Sequence, residues 1–229
     1  MQDPKEVAGR QAADLVRDGM RVGLGTGSTV HFTIVRLSER IREEKLSVRC
    51  VPTSIDTEAK ARALGIPLAT LDEVDAIDLT IDGADEIDAR FDMIKGGGGA
   101  LLREKVVASI SREEAIVVGA SKVVERLGAS FPLPVEVVPF ALPTVARALA
   151  RLGCEPVARS TGGKIYATDN GNRILDCRFE GGIADPPSME QRIAAIPGVV
   201  ESGLFIGLAH VLFVGKPDGT CEVRRKRGS

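Results

Sequence analysis

Apolar segments of five or six residues alternate with longer amphipathic segments through the first half of the chain, and this alternation constrains the fold more than any other feature. Short apolar runs between turn residues are typical of buried strands, and we predict four, at 20–24, 48–52, 76–81 and 115–119. Apolar residues at helical spacing predict helices at 29–43, 56–64 and about 99–111. They also predict an N-terminal helix, which begins at Asp3-Pro4 and ends at Gly19. Strands that alternate with helices predict an α/β fold, with a mostly parallel sheet and helices on both faces.

The pattern changes near residue 128, where Phe131-Pro132-Leu133-Pro134 interrupts the alternation. Beyond this point we predict strands at 135–138, 155–159, 173–179 and 199–205, and helices at 144–152 and 188–196. A hairpin, 209–214 and 221–224, closes the chain around Pro217-Asp218-Gly219. The sequence therefore predicts a main domain of residues 1–127 and 206–229, and a small α+β lobe of residues 128–205.

Charge and composition exclude several classes of partner. The chain has 229 residues and a net charge of -2, whereas nucleic-acid binding usually leaves a strongly basic footprint. Its apolar runs are far shorter than the roughly 20 residues that span a bilayer, and its N-terminus is polar, without an apolar signal segment. We therefore expect a cytoplasmic protein that acts on a small molecule and binds neither nucleic acid nor membrane.

Cysteine and histidine are too sparse to predict a metal site or a disulfide framework. The four cysteines are scattered without a C-x-x-C pair, and the two histidines, His31 and His210, are far apart. We expect no metal and no cofactor. The basic ending at 224–227 is interpreted as a solvated tail, with anion binding as the alternative.

Polar and glycine-rich motifs follow the predicted strands, at 25–29, 53–56, 82–86 and 119–122. The carboxyl ends of parallel strands share one edge of the sheet, and ligands bind beyond that edge. This common placement predicts that the four motifs form one site. The glycine run at 95–99 precedes a helix instead, so it must reach the site from the next connection.

The first motif, Gly25-Thr26-Gly27-Ser28-Thr29, has the composition of an anion site. Glycines let backbone N–H groups approach an anion, a helix N-terminus adds favourable partial charge, and the hydroxyls add donors. The lysine of a P-loop is absent, and Thr53-Ser54 stand where a dinucleotide site carries its ribose-binding acid. The alternative is a purely structural turn between strand and helix.

Three acids, Asp82, Asp85 and Glu86, stand within five residues and repel one another unless something offsets their charge. Such acids accept hydrogen bonds from sugar hydroxyls, and one with a shifted pKa can move protons. Two alternatives stay open. Clustered carboxylates also suit Mg²⁺, and acids also cap helices or occupy turns.

Lys95 leads into four consecutive glycines, which lose much chain entropy on ordering and are useful in a flexible lid or a tight backbone cradle. Glu104 is predicted near the first turn of the following helix, where loop closure can desolvate a carboxylate and raise its pKa toward that of a useful base. The alternative for Glu104 is an ordinary glutamate favoured by the helix dipole. Lys122, at the end of the fourth strand, is predicted either to contact a phosphate or carbonyl or to be a surface lysine.

Together these segments resemble ribose-5-phosphate isomerase type A. The matching motifs, in order from residue 23 to about 206, are GLGTGST, TIDGADEID, MIKGGGGALLREK, GASK, FPLPVEV, TDNGN, AIPGVV and GLF. The resemblance implies a Rossmann-like domain with a small α+β lobe. It also implies a cofactor-free aldose–ketose isomerase of the non-oxidative pentose phosphate pathway, which interconverts D-ribose 5-phosphate and D-ribulose 5-phosphate as a homodimer or homotetramer.

The resemblance assigns roles to matching positions. Glu104 is implied as the proton acceptor, Lys122 as a substrate-binding lysine and Lys5, by a looser match, as another. The implied substrate-binding loops contain Thr26, Gly27, Ser28, Thr29, Asp82, Gly83, Ala84, Asp85, Lys95, Gly96, Gly97 and Gly98. The chain departs from the family pattern at Gly99, where relatives often have alanine, and at Ile55, in a segment that is often serine-rich.

The scarcity of histidine and the carboxylate beside the glycine run favour an enediol route over a metal-assisted hydride shift. The hypothesis is that Glu104 carries the proton from C2 to C1 while Lys95 and loop N–H groups stabilise the enediolate. Asp82 and Asp85 would bind hydroxyls, move protons between the oxygens and assist ring opening. A four-carbon phosphorylated aldonate should then bind more tightly than substrate.

Two rival functions stay open at this point. One is a non-catalytic sugar-phosphate sensor on a related fold, and the other is a CoA-transferase-like enzyme that uses glutamate as a nucleophile. Formation of ketose from ribose 5-phosphate in the presence of EDTA would distinguish an isomerase from both rivals.

Overall fold

The computed structural model describes residues 3–226, which form two compact units. Within this range the first unit contains residues 3–84, 103–123 and 208–226, and the second contains residues 85–102 and 124–207. The domain boundaries drawn from the sequence differ from these units chiefly at 85–102, and they stay a prediction. In the described part of the chain, no helix has both the length and the apolar character needed to cross a membrane.

The described residues contain six α-helices and fifteen strands. The helices are α1 (Pro4–Ala13), α2 (Ser28–Glu44), α3 (Ile55–Ala63), α4 (Leu101–Ser109), α5 (Leu142–Ala150) and α6 (Pro186–Ala194). The strands are β1 (Arg21–Leu24), β2 (Arg49–Pro52), β3 (Leu79–Asp82), β4 (Glu86–Ile87), β5 (Met93–Ile94), β6 (Glu114–Gly119), β7 (Leu133–Val137), β8 (Cys154–Ala158), β9 (Ser160–Thr161), β10 (Lys164–Ile165), β11 (Arg173–Phe179), β12 (Val199–Ser202), β13 (Leu204–Phe205), β14 (Val211–Gly215) and β15 (Cys221–Arg225).

Helix α1 begins where the sequence predicted and ends earlier. The Asp3 side chain accepts a hydrogen bond from the backbone N–H of Lys5, and Pro4 occupies the first turn, so the predicted start is confirmed. The predicted end at Gly19 is wrong, because the helix stops at Ala13. Beyond it, backbone hydrogen bonds join residues three apart, which is the geometry of tighter turns.

The first unit is built on a six-stranded sheet in the order β15-β14-β6-β3-β1-β2. All neighbouring pairs run parallel except β14 and β15, which form the predicted closing hairpin. The carboxyl ends of β1, β2, β3 and β6 therefore lie along one edge, as the sequence predicted for the motifs that follow them.

Helices cover both faces of this sheet, which confirms the predicted α/β class. In strand β2, Cys50 packs in a cluster with residues of α1, α2 and α3. The next residue, Val51, packs with Val107 of α4. Because successive residues of a strand point to opposite faces, the two clusters lie on opposite sides of the sheet.

The second unit contains a four-stranded antiparallel sheet, β12-β7-β11-β8, a three-stranded sheet, β13-β5-β4, and the hairpin β9-β10. Its core joins the inward residues of β7 and β11 to α5 and α6. The single strand predicted at 199–205 is wrong, because the chain leaves one sheet and enters another at Gly203. The N–H of Gly203 donates to Pro134 O, and its carbonyl accepts from the N–H of Lys95.

The basic ending is more ordered than the sequence predicted. Arg224 and Arg225 belong to β15, where they pair with Leu212 and Val211. Arg225 also donates to Glu113 (2.8 Å). Arg224 was already predicted in the hairpin strand at 221–224, and β15 extends that strand by one residue. The side chains of Arg224 and Arg225 are 41% and 62% exposed, so they are solvated although their backbone is ordered, and residue 227 lies outside the described residues.

Candidate active site

Asp82 ends strand β3 and is fully buried against the loop that follows β1. Its Oδ1 atom accepts the backbone N–H of Thr26 (3.0 Å) and that of Gly83 (2.6 Å). A Cβ atom at Gly25 would lie 2.5 Å from Cα of Asp82 and closer still to the carboxylate. Only glycine fits at position 25, so the first motif and the acid motif meet, as their placement after neighbouring strands predicted.

A cluster of hydroxyl groups joins the loops after β1 and β2. Thr26 Oγ1 lies 2.8 Å from both Thr53 Oγ1 and Ser54 Oγ, and Thr57 Oγ1 donates to the carbonyl of Gly25 (2.8 Å). Thr53, Ser54 and Thr57 are buried. Thr53 and Ser54 belong to the motif at 53–56 that was predicted to lie at this site, although neither was assigned a role, and Thr57, in the first turn of α3, was not predicted.

Helix α2 directs its N-terminus to the same edge of the sheet. Gly27, with φ 133°, precedes the first helical residue, Ser28, and no side chain caps this end. The Nζ of Lys5 donates to Ser28 Oγ (3.0 Å), so the loosely matched lysine lies at this loop. An added Cβ at Gly9 would come within 2.6 Å of the carbonyl of Thr29, so α1 and α2 approach closely there.

Glu104 lies in the first turn of α4, as predicted, and is 4% exposed. The helix packs directly on the sheet, since a Cβ at Gly23 of β1 would approach Val107 to 2.8 Å. Lys122 ends a short 3₁₀ turn, Ala120–Lys122, which follows β6. It is half-buried at the edge where the carboxyl ends of the parallel strands lie.

The second unit carries Asp85, Lys95 and the glycine run. Asp85 Oδ2 accepts the N–H of Gly97 (2.7 Å). Lys95 follows β5 and is only 2% exposed, with its Nζ 5.4 Å from the ring centroid of Phe205, within cation–π range. Phe205 was not predicted, and its place in the GLF motif gave no chemical signal.

The glycine run forms a tight turn. Gly96 and Gly99 have φ values of 101° and 80°, which favour glycine, and the N–H of Gly99 donates to Gly96 O (3.0 Å). A Cβ at Gly99 would lie 2.7 Å from the ring of Tyr166, so the departure from alanine at this position fits its surroundings. Of the two uses predicted for the run, a flexible lid or a tight backbone cradle, the closed turn fits the second.

The three neighbouring acids make separate contacts. Asp82 is held by the loop after β1 and Asp85 by Gly97, whereas Glu86 accepts the backbone N–H groups of Gly128, Ser130 and Phe131. These N–H groups offset the negative charge of Glu86, which therefore has a structural role. Among residues 3–226, no group of three or more potential ligand side chains is arranged to hold a metal ion.

The predicted site residues are distributed over both units. Those in the first unit are Lys5, Thr26, Gly27, Ser28, Thr29, Asp82, Gly83, Ala84, Glu104 and Lys122. Those in the second unit are Asp85, Lys95, Gly96, Gly97 and Gly98.

Sequence reasoning also missed Arg159 and Tyr166. Arg159 Nη1 donates to the carbonyls of Gly96 (2.8 Å) and Gly97 (3.1 Å), and its guanidinium carbon lies 5.8 Å from the Tyr166 ring centroid. The two residues flank the hairpin β9-β10, which turns at Gly162-Gly163. A Gly-Gly pair between two short segments was the available signal for that hairpin.

The parallel sheet, covered by helices and with its polar loops along the carboxyl edge, defines the class: a Rossmann-like α/β protein. A family model described as ribose 5-phosphate isomerase A (phosphoriboisomerase A) matches residues 49–219. The chain belongs to the ribose 5-phosphate isomerase A family, and the family resemblance of its motifs is confirmed.

Individual relatives match the chain over nearly its whole length. It is 48% identical to ribose-5-phosphate isomerase A of Bacillus mycoides, covering 97% of this chain and 100% of that one. The solved structure of ribose 5-phosphate isomerase from Plasmodium falciparum has a TM-score of 0.95 at 41% identity, covering 99% and 100%. Another solved structure, a D-ribose-5-phosphate isomerase in complex with phospho-erythronic acid, has a TM-score of 0.93 at 36% identity and 97% coverage of both chains.

Proposed function

We propose that this chain interconverts D-ribose 5-phosphate and D-ribulose 5-phosphate through an enediolate, as an isomerase of the non-oxidative pentose phosphate pathway. The observation that carries the proposal is the burial of six ionisable side chains between residues 82 and 104, among them the three that are predicted to do the chemistry: Asp82, Lys95 and Glu104 are 0%, 2% and 4% exposed. Burying an ionisable side chain is costly, because desolvation disfavours its charged form. Such a concentration is typical of a catalytic centre.

The phosphate group of the substrate binds at the loop Gly25–Thr29. Backbone N–H groups at the N-terminus of α2 and the hydroxyl of Ser28 are suitable donors. Lys5 supplies positive charge at Ser28. Lys122 supplies a second positive charge at the same sheet edge.

Glu104 is the base that moves the proton between carbons. It takes the proton from C2 of the open-chain aldose, the C2–H electron pair becomes the C1–C2 double bond, and the electrons of the C1 carbonyl move to O1. Return of the proton to C1 and formation of the C2 carbonyl give the ketose. The enediolate is stabilised by Lys95 and the N–H groups of the glycine run, in the manner of an oxyanion hole.

Asp82 and Asp85 act on the oxygens. They accept hydrogen bonds from substrate hydroxyls, carry a proton from O2 to O1 and assist opening of the sugar ring. Both carboxylates are oriented by backbone N–H groups, Asp82 by Thr26 and Gly83 and Asp85 by Gly97, which supports a fixed geometry for proton transfer.

The complex of a relative supports the enediolate route. Phospho-erythronic acid, bound to that relative, is a four-carbon phosphorylated aldonic acid, and its planar carboxylate has the shape of the enediolate. A compound that imitates an intermediate binds more tightly than substrate when the enzyme stabilises that intermediate. We expect the same order of affinities for this chain, measured as the inhibition constant against the KM for ribose 5-phosphate.

Assembly as a homodimer or homotetramer, and a cytoplasmic location, belong to the same proposal. Support for assembly comes from the second unit, where Phe140 is 95% and Val138 42% exposed. Large apolar side chains exposed next to one another are typical of interaction surfaces. Light scattering of the wild type and of Phe140→Ser tests the assembly, since a monomeric wild type would contradict it.

The decisive test of function is formation of ribulose 5-phosphate from ribose 5-phosphate in EDTA. The wild type should form ketose, whereas a sugar-phosphate sensor would bind without converting. Glu104→Gln keeps the shape and removes the base, and positioned bases contribute about 10²–10⁴-fold, so kcat should fall by that factor. Glu125→Gln, at an exposed glutamate, is the matched control and should retain wild-type kcat. Residual activity of Glu104→Gln above about a tenth of wild type would contradict the assignment of the base.

A further inference from the structure

A single guanidinium group ties the glycine run to the four-stranded sheet of the second unit. Nη1 of Arg159 donates to the carbonyl oxygens of Gly96 and Gly97, at 2.8 and 3.1 Å. Its Nε and Nη2 donate to the two carboxylate oxygens of Asp176 on β11, at 2.9 and 2.6 Å. The Arg159 side chain is 14% exposed, so this bidentate pair is largely shielded from water.

These contacts fix the orientation of two consecutive peptide groups. The peptide between Gly96 and Gly97 is held at both ends, its carbonyl by Arg159 and its N–H by Asp85 (2.7 Å). The C=O and N–H of a trans peptide point in opposite directions, so holding both prevents rotation of the plane. Glycines would otherwise allow such a rotation at little steric cost.

The next peptide, between Gly97 and Gly98, is oriented by the same arginine. Its carbonyl accepts from Arg159, so the N–H of Gly98 points away from the guanidinium. Within residues 3–226 this N–H donates no hydrogen bond, and Gly98 is exposed. A donor with this orientation is available to an oxygen atom of a ligand.

Tyr166 holds the other side of this arrangement. Its hydroxyl donates to the carbonyl of Gly98 (3.4 Å), and its ring packs against the guanidinium of Arg159. The N–H of Tyr166 donates to Arg159 O (2.9 Å) across the base of the hairpin β9-β10. Beyond the hairpin, Thr168 Oγ1 and Asn172 Nδ2 each donate to buried Glu136 (both 2.9 Å), which anchors the segment.

We infer that Arg159 is a positioning residue for the isomerisation: through Gly96 and Gly97 it aims the N–H of Gly98 at an oxygen of the enediolate. The inference rests on the proposed function. Loss of one donor aimed at a developing oxyanion lowers kcat by about 10²–10³-fold. Because Arg159 acts through the backbone, and the loop retains Asp85, we expect a decrease of about 10- to 100-fold on its removal.

The test compares Arg159→Ala with Arg159→Lys and with Arg151→Ala, a control at an exposed arginine. Arg159→Ala should lower kcat by about 10- to 100-fold and change KM by less than about threefold, because the transition state uses the donor more than bound substrate does. Millimolar guanidinium chloride should restore part of the lost kcat in Arg159→Ala. Arg159→Lys should also be impaired, since an ammonium cannot form the planar fork. Arg151→Ala should match wild type.

Glycine amides give a second readout that does not depend on activity. In protein labelled with ¹⁵N-glycine, Arg159→Ala should shift the amide resonances of Gly97 and Gly98, and phospho-erythronate should perturb the Gly98 amide in wild type. If Arg159→Ala does not fold, the same measurements on Arg159→Lys decide.

Three outcomes would overturn the inference: unchanged kcat in both Arg159 variants, a folded Arg159→Ala that guanidinium does not rescue, or a Gly98 amide that no ligand perturbs. A wild type that forms no ketose would instead contradict the proposed function, while the amide resonances still report on the positioning.

Discussion

Replacement of Gly25 by alanine should destabilise the fold and remove most activity, because it forces Asp82 out of position. The added Cβ would lie 2.5 Å from Cα of Asp82, an atom that no side-chain rotation can move away. Either β3 or the loop after β1 must therefore shift by roughly 1 Å to reach an ordinary contact distance.

The magnitude follows from two effects. Overpacking of a well-packed site costs about 1–3 kcal/mol. The shift also weakens the hydrogen bond from the N–H of Thr26 to the Asp82 carboxylate, and hydrogen bonds to charged groups contribute about 1.5–3 kcal/mol. We expect the free energy of unfolding to fall by about 2–4 kcal/mol, which for a chain of this length lowers Tm by roughly 5–15 °C.

Activity should fall further than stability. A displacement of about 1 Å in a group that contacts substrate costs about 10²-fold in rate, so kcat/KM for ribose 5-phosphate should fall by about that factor. Gly119→Ala is the matched control, at the same sheet edge, with φ -78° and no atom within 4 Å of an added Cβ. Its free energy of unfolding should change by less than about 1 kcal/mol. Calorimetry measures the free energy of unfolding of each variant, and the isomerase assay measures kcat/KM. If Gly25→Ala matched Gly119→Ala in both quantities, the packing of Gly25 on Asp82 would be refuted.

The ion pair between Arg21 and Asp78 should make the stability of the fold depend on pH in the acidic range. The hydrogen bond from Arg21 lowers the pKa of Asp78, so the stability that the ion pair contributes is present above the unfolded pKa near 4 and is lost as pH falls through the lower folded pKa. Asp78→Asn should therefore flatten the dependence of Tm on pH between about 5 and 3. An unchanged slope in this variant would count against the pair. Burial raises the pKa of Cys50 to about 12, so a thiol reagent at pH 8 should label it only on unfolding, as mass spectrometry of the native protein can check. Gly99→Ala introduces a strained φ and displaces Tyr166, so the free energy of unfolding should fall by about 1–3 kcal/mol and Tm should fall with it. Because Tyr166 is the only tyrosine in a chain without tryptophan, tyrosine fluorescence reports on its surroundings. Unchanged fluorescence in the variant would contradict the contact between Gly99 and Tyr166.

The sheet of the first unit could be predicted from the sequence because its signals are local. Each short strand is a continuous apolar run, and each following helix begins at a polar or glycine-rich turn. The topology of parallel strands then places the turns at one edge without further information. This is why the meeting of Thr26, Thr53 and Asp82 followed from their positions after strands alone.

Contacts between distant segments could not be predicted in this way. Arg159 reaches Gly96 across 63 residues, and neither residue carries a local signal for the other. The switch between sheets at Gly203 depends on hydrogen bonds to Pro134 and Lys95, again from remote parts of the chain. Periodicity reports burial and local conformation, whereas such pairings are set by tertiary packing.

The acid cluster shows a further limit of sequence reasoning. Asp82 and Asp85 are three residues apart and chemically equivalent, yet Asp82 is fully buried at the end of β3. Asp85 is half-buried and accepts a hydrogen bond from Gly97 of the glycine run. Glu86, next along the chain, stabilises a loop instead. Sequence proximity identified a group of acids, and only the hydrogen-bond partners separate their roles.

Proton transfer can be followed with C2-deuterated ribose 5-phosphate through repeated turnovers in water containing EDTA, for the wild type and for Glu104→Gln. Proton transfer by a carboxylate predicts that the wild type forms ribulose 5-phosphate and progressively loses deuterium to solvent, and that Glu104→Gln slows both processes by about 10²–10⁴-fold. Complete retention of deuterium after many turnovers, or wild-type exchange by Glu104→Gln, would contradict the assignment of Glu104 as the base of an enediolate mechanism.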